Sequence, residues 1–150
     1  MGYRLHELRK LRSCSVGTEV GQRSEARSPD VAAIIAELAL RPALGIRDEA
    51  IFSRYVSDMW SAVSDASRVL APGGKAVYVV GENTVRGTYI PNAKMIVAVA
   101  KSVGLRLHSQ IARELPANRR YLPPPSNFNR SVAFDNRMRR EVIVTLGKLV

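Results

Sequence analysis

Cysteine is almost absent from the chain, and long apolar runs are absent altogether. The single cysteine, Cys14, excludes an internal disulfide bond and a zinc site built from several cysteines. His6 and His108 lie far apart without metal-ligand spacing, so we expect no metal site. No apolar run approaches the roughly 18 residues of a membrane span. The basic segment MGYRLHELRKLR lacks the apolar region of a secretory signal. These absences favour a cytoplasmic protein without a membrane segment.

Acidic residues are also scarce. The chain has 13 Asp and Glu against 23 Lys and Arg, which gives a formal net charge of +10 and a pI near 10.5. An excess of this size favours a polyanionic partner, most often nucleic acid. The alternative is a basic surface that only faces solvent. With 150 residues and an apolar fraction of 46%, the chain is expected to form one globular domain at most.

The first half of the chain predicts three helices. Residues 2–12 have helical character, whereas residues 13–28 are small and polar and indicate a loop. Asp30 is placed to cap a helix over 31–40. A longer helix is predicted over 47–70, because apolar residues recur there at steps of three and four and form one buried stripe. The stripe comprises Ile51, Tyr55, Met59, Val63, Ala66 and Leu70.

The second half predicts strands. Ala71-Pro72-Gly73-Gly74 ends the long helix. The apolar run Lys75–Val80 follows without alternation, which is typical of a strand covered on both faces in a parallel α/β sheet. After a helix predicted over 91–103, Leu105–Ile111 alternates apolar and polar residues and indicates a half-exposed edge strand.

The last predicted strand, at about 138–146, follows a long loop at 116–136. No helix separates it from the strand at 105–111, so these two strands can pair antiparallel. The helix between the first two strands instead favours a right-handed crossover and parallel strands. The sequence therefore predicts an α/β fold with flanking helices.

Residues 116–140 concentrate positive charge, with Tyr121 and Phe128 interleaved and only Asp135 opposing it. Arginine binds phosphate through a planar fork, and an aromatic ring can stack on an unpaired base. The predicted nucleic-acid-binding residues are Arg119, Arg120, Tyr121, Arg130, Arg137, Arg139 and Arg140. The alternative is an arginine-rich loop that contributes only to solubility.

The predicted topology brings two loops together. Ligands of parallel α/β sheets bind beyond the carboxyl ends of the strands. The loops at 81–90 and 116–136 each follow a predicted strand, so both should begin at that end of the sheet.

Residues 53–86, SRYVSDMWSAVSDASRVLAPGGKAVYVVGENTVR, resemble the middle of a class I S-adenosylmethionine-dependent methyltransferase. The segments VYVVGENTVRGTYIP, NRRYLPPP and RMRREVIVTLGK resemble the C-terminal part of DNA amino-methyltransferases, which methylate exocyclic nitrogens of adenine or cytosine. The resemblance implies a partial Rossmann-like sheet in which the three predicted strands are strands five, six and seven. Strand seven would insert antiparallel between five and six. S-adenosylmethionine would be the cofactor, and DNA the partner, of the complete enzyme.

Residues 2–19, GYRLHELRKLRS and SVGTE, are similar to the segment on the C-terminal side of the catalytic Ser/Asn/Asp-Pro-Pro-Tyr motif in one branch of that family. This similarity implies that residues 1–28 leave strand four at the same end of the sheet as the two loops.

Two family features are missing from the chain. The family's glycine-rich cofactor loop follows a strand, whereas Gly73-Gly74 precede one. The catalytic Pro-Pro-Tyr motif is absent, and Pro123-Pro124-Pro125 has no following aromatic residue. We therefore assign no catalytic and no cofactor-binding residue. Residues 1–150 are expected to be the C-terminal part of one methyltransferase domain and to be inactive alone. Residues 1–28 would form a basic loop and helix segment, and residues 29–150 the helices and strands five to seven.

Other functions remain open at this point. An RNA or tRNA base methyltransferase would share the sheet and the base-amine chemistry. A non-catalytic basic α/β module that binds nucleic acid is a third possibility, as is a partner subunit. The missing N-terminal half, or a second copy of the chain, is the expected protein partner.

Overall fold

A computed structural model of the protein describes residues 4–13, 15, 28–40, 43–85, 88–116 and 140–149. In chain order, these residues form α1 (Leu5–Ser13), α2 (Pro29–Leu38), α3 (Ile46–Val69), β1 (Lys75–Gly81), β2 (Asn83–Val85), β3 (Thr88–Ile90), α4 (Asn92–Ser102), β4 (Leu105–Glu114) and β5 (Arg140–Lys148). The predicted loop at 13–28 lies outside the described residues except at its margins. The predicted loop at 116–136 does so beyond Pro116.

Strand β5 lies in the middle of a three-stranded sheet and is antiparallel to both neighbours. Its pairing with β1 runs from Lys75 opposite Gly147 to Gly81 opposite Glu141. On its other side, Glu114 of β4 is opposite Arg140. Strands β1 and β4 therefore run in the same direction, separated by β5. The predicted α/β fold, with the last strand inserted antiparallel between the other two, is confirmed.

The start of α2 differs from the prediction in its capping residue. The Ser28 hydroxyl accepts a hydrogen bond from the Val31 backbone N–H at 3.3 Å. Pro29 occupies the first helical turn, where its missing N–H costs no hydrogen bond. Asp30 thus lies within the first turn, where its charge suits the helix dipole. The prediction that Asp30 caps this helix was wrong, because the Ser28 hydroxyl is the capping group and accepts the Val31 N–H.

The long helix α3 agrees with its predicted bounds to within one residue. Its buried stripe is centred slightly differently. Phe52 and Val56 are buried, whereas the predicted Tyr55 and Met59 are half-buried at the margin of the core. Trp60 also packs at this margin, and its indole N–H donates to the Ser102 hydroxyl at 3.1 Å.

Helix α4 is the centre of the hydrophobic core. It contacts all three strands of the larger sheet on one side and both α2 and α3 on the other. Met95, Ile96 and Val99 are fully buried in α4. They share the core with Val144 and Leu146 of β5, which are also fully buried. All three helices of this core therefore lie over one face of the sheet. Helix α1 contributes no buried residue.

The opposite face of the sheet is exposed, which corrects the prediction for β1. That strand alternates between half-buried and exposed residues, and Val77 and Val79 are 60% and 53% exposed. Ile111 of β4 is 59% exposed on the same face, because Val79, Ile143 and Ile111 align across the three strands. The apolar run at 75–80 predicted cover on both faces, but the described helices cover only one. Strand β4 is a sheet edge, as predicted. Its predicted apolar face is not buried as a whole, because Leu105 is buried whereas Leu107 and Ile111 are exposed.

Candidate nucleic-acid interface

Strands β1 and β4 end at the same end of the sheet. Gly81 lies opposite Glu141, and Glu114 lies opposite Arg140, at the start of β5. We call this the carboxyl-end edge and define it by Gly81, Glu82, Arg113, Glu114, Arg140 and Glu141. The prediction that the segments after the first two strands begin at a common end is confirmed.

The predicted nucleic-acid-binding residues fall mostly outside the described residues. Arg119, Arg120, Tyr121, Arg130, Arg137 and Arg139 belong to residues 117–139, which the structure does not describe. Arg140 is described, and it is the exposed first residue of β5. Its backbone carbonyl accepts a hydrogen bond from the Glu82 N–H at 3.3 Å. The carboxyl-end edge thus holds Arg140 and the end of β4, the two points from which residues 117–139 are connected.

A second, smaller sheet lies beside this edge, where the sequence predicted only a polar loop. Strands β2 and β3 pair antiparallel, with Thr84 opposite Tyr89. Thr88 and Ile90 are buried, and Ile90 joins the hydrophobic core. Because side chains alternate along a strand, Tyr89 lies on the opposite, exposed face. The signal in the sequence that could have predicted this sheet is a pair of short β-prone runs, NTV and TYI, around a glycine.

Glu82 joins this small sheet to helix α4. One carboxylate oxygen accepts the Ala93 backbone N–H at 3.2 Å, in the first turn of α4. The other oxygen accepts the Tyr89 hydroxyl. Beside them, the Asn92 side-chain amide donates to the Gly81 carbonyl at 2.7 Å. A carboxylate at a helix N-terminus is favoured because it meets unsatisfied N–H groups and the positive end of the helix dipole.

This environment changes the acidity of Tyr89. Partial burial, together with the hydrogen bond to Glu82 and its negative charge, raises the pKa of Tyr89 to about 12. The positive charge of Arg140 acts in the opposite direction. The Tyr89 hydroxyl therefore stays protonated and donates to Glu82 at neutral pH.

The described part of the carboxyl-end edge is not itself basic. Arg113 is ion-paired with Glu141 on the neighbouring strand. This edge contains two positive charges, those of Arg113 and Arg140, and three negative charges, those of Glu82, Glu114 and Glu141. The described residues of this edge therefore supply no net positive charge.

Metal and membrane sites do not emerge from the described residues. No group of three or more His, Cys, Asp or Glu side chains among them could hold a metal ion. His108 contacts Lys75 at 3.0 Å, near the start of β1 and far from the carboxyl-end edge. Within the same part of the chain, none of the helices combines the length and apolarity needed to cross a membrane.

Comparison with known proteins gives a likeness at the level of the fold. No protein-family model and no curated protein matches the chain. A crystal structure of a Thermus thermophilus protein named "Putative DNA Modification Methylase", complexed with S-adenosyl-L-methionine, is similar over 73% of this chain. The TM-score is 0.51 and the sequence identity 19%. A selenomethionine crystal structure of the same protein covers 66% of the chain at 18% identity, with a TM-score of 0.49.

The chain spans less than half of the Thermus protein, 43% in the first structure and 38% in the second. At such low identity, the similarity of the complexed structure establishes the fold and not the activity. The chain therefore has an α/β fold, with an antiparallel last strand and flanking helices, that it shares with part of this S-adenosyl-L-methionine-bound protein.

Proposed function

We propose that the chain is a segment of an S-adenosylmethionine-dependent DNA methyltransferase that methylates an exocyclic amine of adenine or cytosine. The observation that carries this proposal is the insertion of β5 between β1 and β4, antiparallel to both. The resemblance of residues 53–86 to class I methyltransferases implied that topology. The fold shared with a structure that binds S-adenosyl-L-methionine supports the same proposal.

In this proposal, residues 1–150 are the C-terminal part of one methyltransferase domain. They contribute DNA contacts and part of the sheet rather than the reaction centre. None of the described residues fits S-adenosylmethionine in the way the family holds it. Gly73 and Gly74 lie in the turn before β1, and β1 leads into the β2–β3 sheet instead of a glycine loop and helix. We therefore assign the cofactor, and every chemical step, to the complete enzyme.

Alone, the chain should transfer no methyl group. Transfer of a tritiated methyl group to DNA by purified residues 1–150 would contradict this.

The DNA contacts are proposed for residues 117–139, which we call the arginine-rich segment. The chain enters and leaves this segment at the carboxyl-end edge. Neutralising phosphates releases counterions, so the logarithm of the binding constant falls with the logarithm of salt concentration by about 0.9 per phosphate contacted on duplex DNA. Replacing both Arg119 and Arg120 with alanine should therefore weaken binding of a labelled duplex at low salt. It should also reduce, by about two, the steepness of the slope of the logarithm of the binding constant against the logarithm of salt concentration. Fluorescence anisotropy over a salt series measures both quantities.

A matched control removes two arginines from the other end of the sheet. Arg68, near the end of α3, and Arg106, near the start of β4, are both exposed. The Arg68→Ala/Arg106→Ala variant has the same net charge as the first double variant, so the two separate local contacts from overall charge. Equal losses in both variants would mean that charge alone drives binding, which would contradict an interface at residues 116–140.

The alternatives predict different results in the same assay. Tighter binding of structured RNA than of duplex DNA would favour an RNA or tRNA base methyltransferase, because 2′-hydroxyl and shape contacts distinguish the two. Because the proposed function also predicts salt-sensitive DNA binding, the oligomeric state distinguishes a free-standing binding module, which should be a stable monomer. Self-association through the exposed face that carries Val77, Val79 and Ile111 would instead favour a sheet that other protein segments complete.

A further inference from the structure

Tyr89 combines a fixed hydroxyl with an exposed ring. Its hydroxyl donates to Glu82, yet the side chain remains 53% exposed. Exposed aromatic residues are common on protein surfaces, and a single one carries little information. Tyr89 differs from such residues because its polar end is held while its ring stays open to solvent.

The backbone beneath Tyr89 is also fixed. Both neighbours in β3 are buried, Thr88 at 2% and Ile90 at 2% exposure, so β3 is anchored to the body of the protein. Glu82 in turn is held by the Ala93 N–H at the start of α4. The ring is therefore anchored at both ends, through β3 and through its hydroxyl. A ligand that stacks on a ring already held in place loses less conformational entropy than one that must order a mobile side chain.

A positive charge lies close to the ring. The charge of Arg140 acts on the Tyr89 hydroxyl, and the Arg140 carbonyl accepts the N–H of Glu82, the residue that binds this hydroxyl. Arg140 is exposed. An exposed ring next to an exposed arginine is the combination with which proteins bind single-stranded nucleic acid, the ring stacking on a base and the guanidinium pairing with a phosphate.

We propose that Tyr89 is a stacking platform for an unpaired DNA base at the carboxyl-end edge, and that Arg140 contacts the adjacent phosphate. This inference rests on the proposed function, since it requires that the chain bind DNA. It adds a specific contact outside the arginine-rich segment and commits to an unpaired base rather than to duplex DNA. Glu82 is then a positioning residue, which holds the ring through its hydroxyl without touching the base.

The test compares single-stranded and duplex oligonucleotides of one sequence, each carrying 2-aminopurine, whose fluorescence is quenched by stacking. Tyr89→Leu should weaken binding of the single strand about tenfold and restore the fluorescence of the bound 2-aminopurine. Its effect on duplex binding should be less than twofold. Tyr89→Phe keeps the ring and loses the hydrogen bond, so it should stay within about threefold of the unmodified chain.

Val77→Ala is the control for loss of an exposed apolar side chain away from the carboxyl-end edge, and it should leave both affinities unchanged. If the unmodified chain binds neither oligonucleotide, both the proposed function and this inference are overturned. If it binds DNA and Tyr89→Leu behaves like the unmodified chain, only the platform is overturned. Equal losses in Tyr89→Leu and Tyr89→Phe would assign the effect to the hydrogen bond with Glu82 and would also overturn stacking.

Discussion

The two ends of the three-stranded sheet use their polar groups differently. Where β1 begins and β5 ends, the N–H of Gly73 donates to the Lys148 carbonyl, and the Lys148 N–H donates to the Gly74 carbonyl. The Lys148 ammonium also donates to the carbonyls of Ser67 and Leu70 at the end of α3. These bonds all join one part of the fold to another.

At the carboxyl-end edge, hydrogen bonds hold a side chain in position and leave it accessible. Glu82 fixes Tyr89, whose ring stays exposed, and Arg140 extends from the same edge. The contrast separates stability from binding. Changes at the first end should lower the free energy of unfolding and leave DNA affinity unchanged, whereas changes at the carboxyl-end edge should lower DNA affinity and have a smaller effect on the free energy of unfolding.

The largest effect on stability is expected from Gly74→Ala in the turn between α3 and β1. A Cβ atom at this position would lie 2.8 Å from the Ala71 carbonyl oxygen and 2.9 Å from Cγ of Leu70. The backbone must shift to relieve this contact, at a cost of about 2–3 kcal/mol in the free energy of unfolding. Urea denaturation followed by circular dichroism measures the change.

Gly147→Ala, at the same end of the sheet, is the matched control. A Cβ atom there would meet no atom within 4 Å, so the free energy of unfolding should change by less than about 0.5 kcal/mol. Both variants should bind duplex DNA as the unmodified chain does. A loss of DNA affinity in either variant while it is still folded would contradict the assignment of stability to this end of the sheet and of DNA binding to the other.

A smaller loss is expected from Lys148→Met. The last carbonyls of a helix lack partners within the helix, and a cation there also suits the helix dipole. Methionine keeps most of the apolar length of lysine and removes both hydrogen bonds, to Ser67 at 2.7 Å and to Leu70 at 2.8 Å. The free energy of unfolding should fall by about 1–2 kcal/mol.

Lys75→Met removes an equal charge from the same end of the sheet. Lys75 is exposed, and its ammonium contacts His108. We expect a change of less than about 0.5 kcal/mol in the free energy of unfolding. Equal destabilisation by the two substitutions would show that the charge of Lys148 matters and its bonds to α3 do not.

The sequence predicted the order of the larger elements, because local patterns define helices and strands over whole segments, but it missed β2 and β3. The stripe over 47–70 and the Pro-Gly-Gly turn place α3 and β1 to within one residue. No helix is predicted between the last two strands, and this allowed their antiparallel pairing to be expected. The resemblance to methyltransferases supplied the strand order.

Other features could not be read from local patterns. An apolar run shows that side chains can be buried, but not that another layer lies against each of them, and Val77 and Val79 are exposed. The contact of Tyr89 with Glu82 joins residues seven apart and depends on the Ala93 N–H. No periodicity in the sequence encodes such a contact. Of the predicted interface, the structure describes only Arg140, which lies at the carboxyl-end edge, and its binding of nucleic acid stays a prediction.

The smallest expected effect concerns the pH dependence of stability at the carboxyl-end edge. The pKa of Tyr89 is raised to about 12 in the folded protein, above its ordinary value of 10.0, by partial burial and by Glu82. The protonated hydroxyl therefore contributes stability that is fully present below pH 10 and is lost as the pH rises through 12. Tyr89→Phe has no ionisable hydroxyl, so its free energy of unfolding should fall less steeply between about pH 10 and 12.

Absorbance near 295 nm, which reports tyrosinate, provides an independent measure of the ionisation of Tyr89. The folded unmodified chain and Tyr89→Phe should contain the same amount of tyrosinate at about pH 10.5 and differ only nearer pH 12. An unshifted Tyr89 with a pKa of 10.0 would instead add about three quarters of a tyrosinate at that lower pH. That result would show that Glu82 does not hold the hydroxyl, and the ring would then lose one of its two anchors.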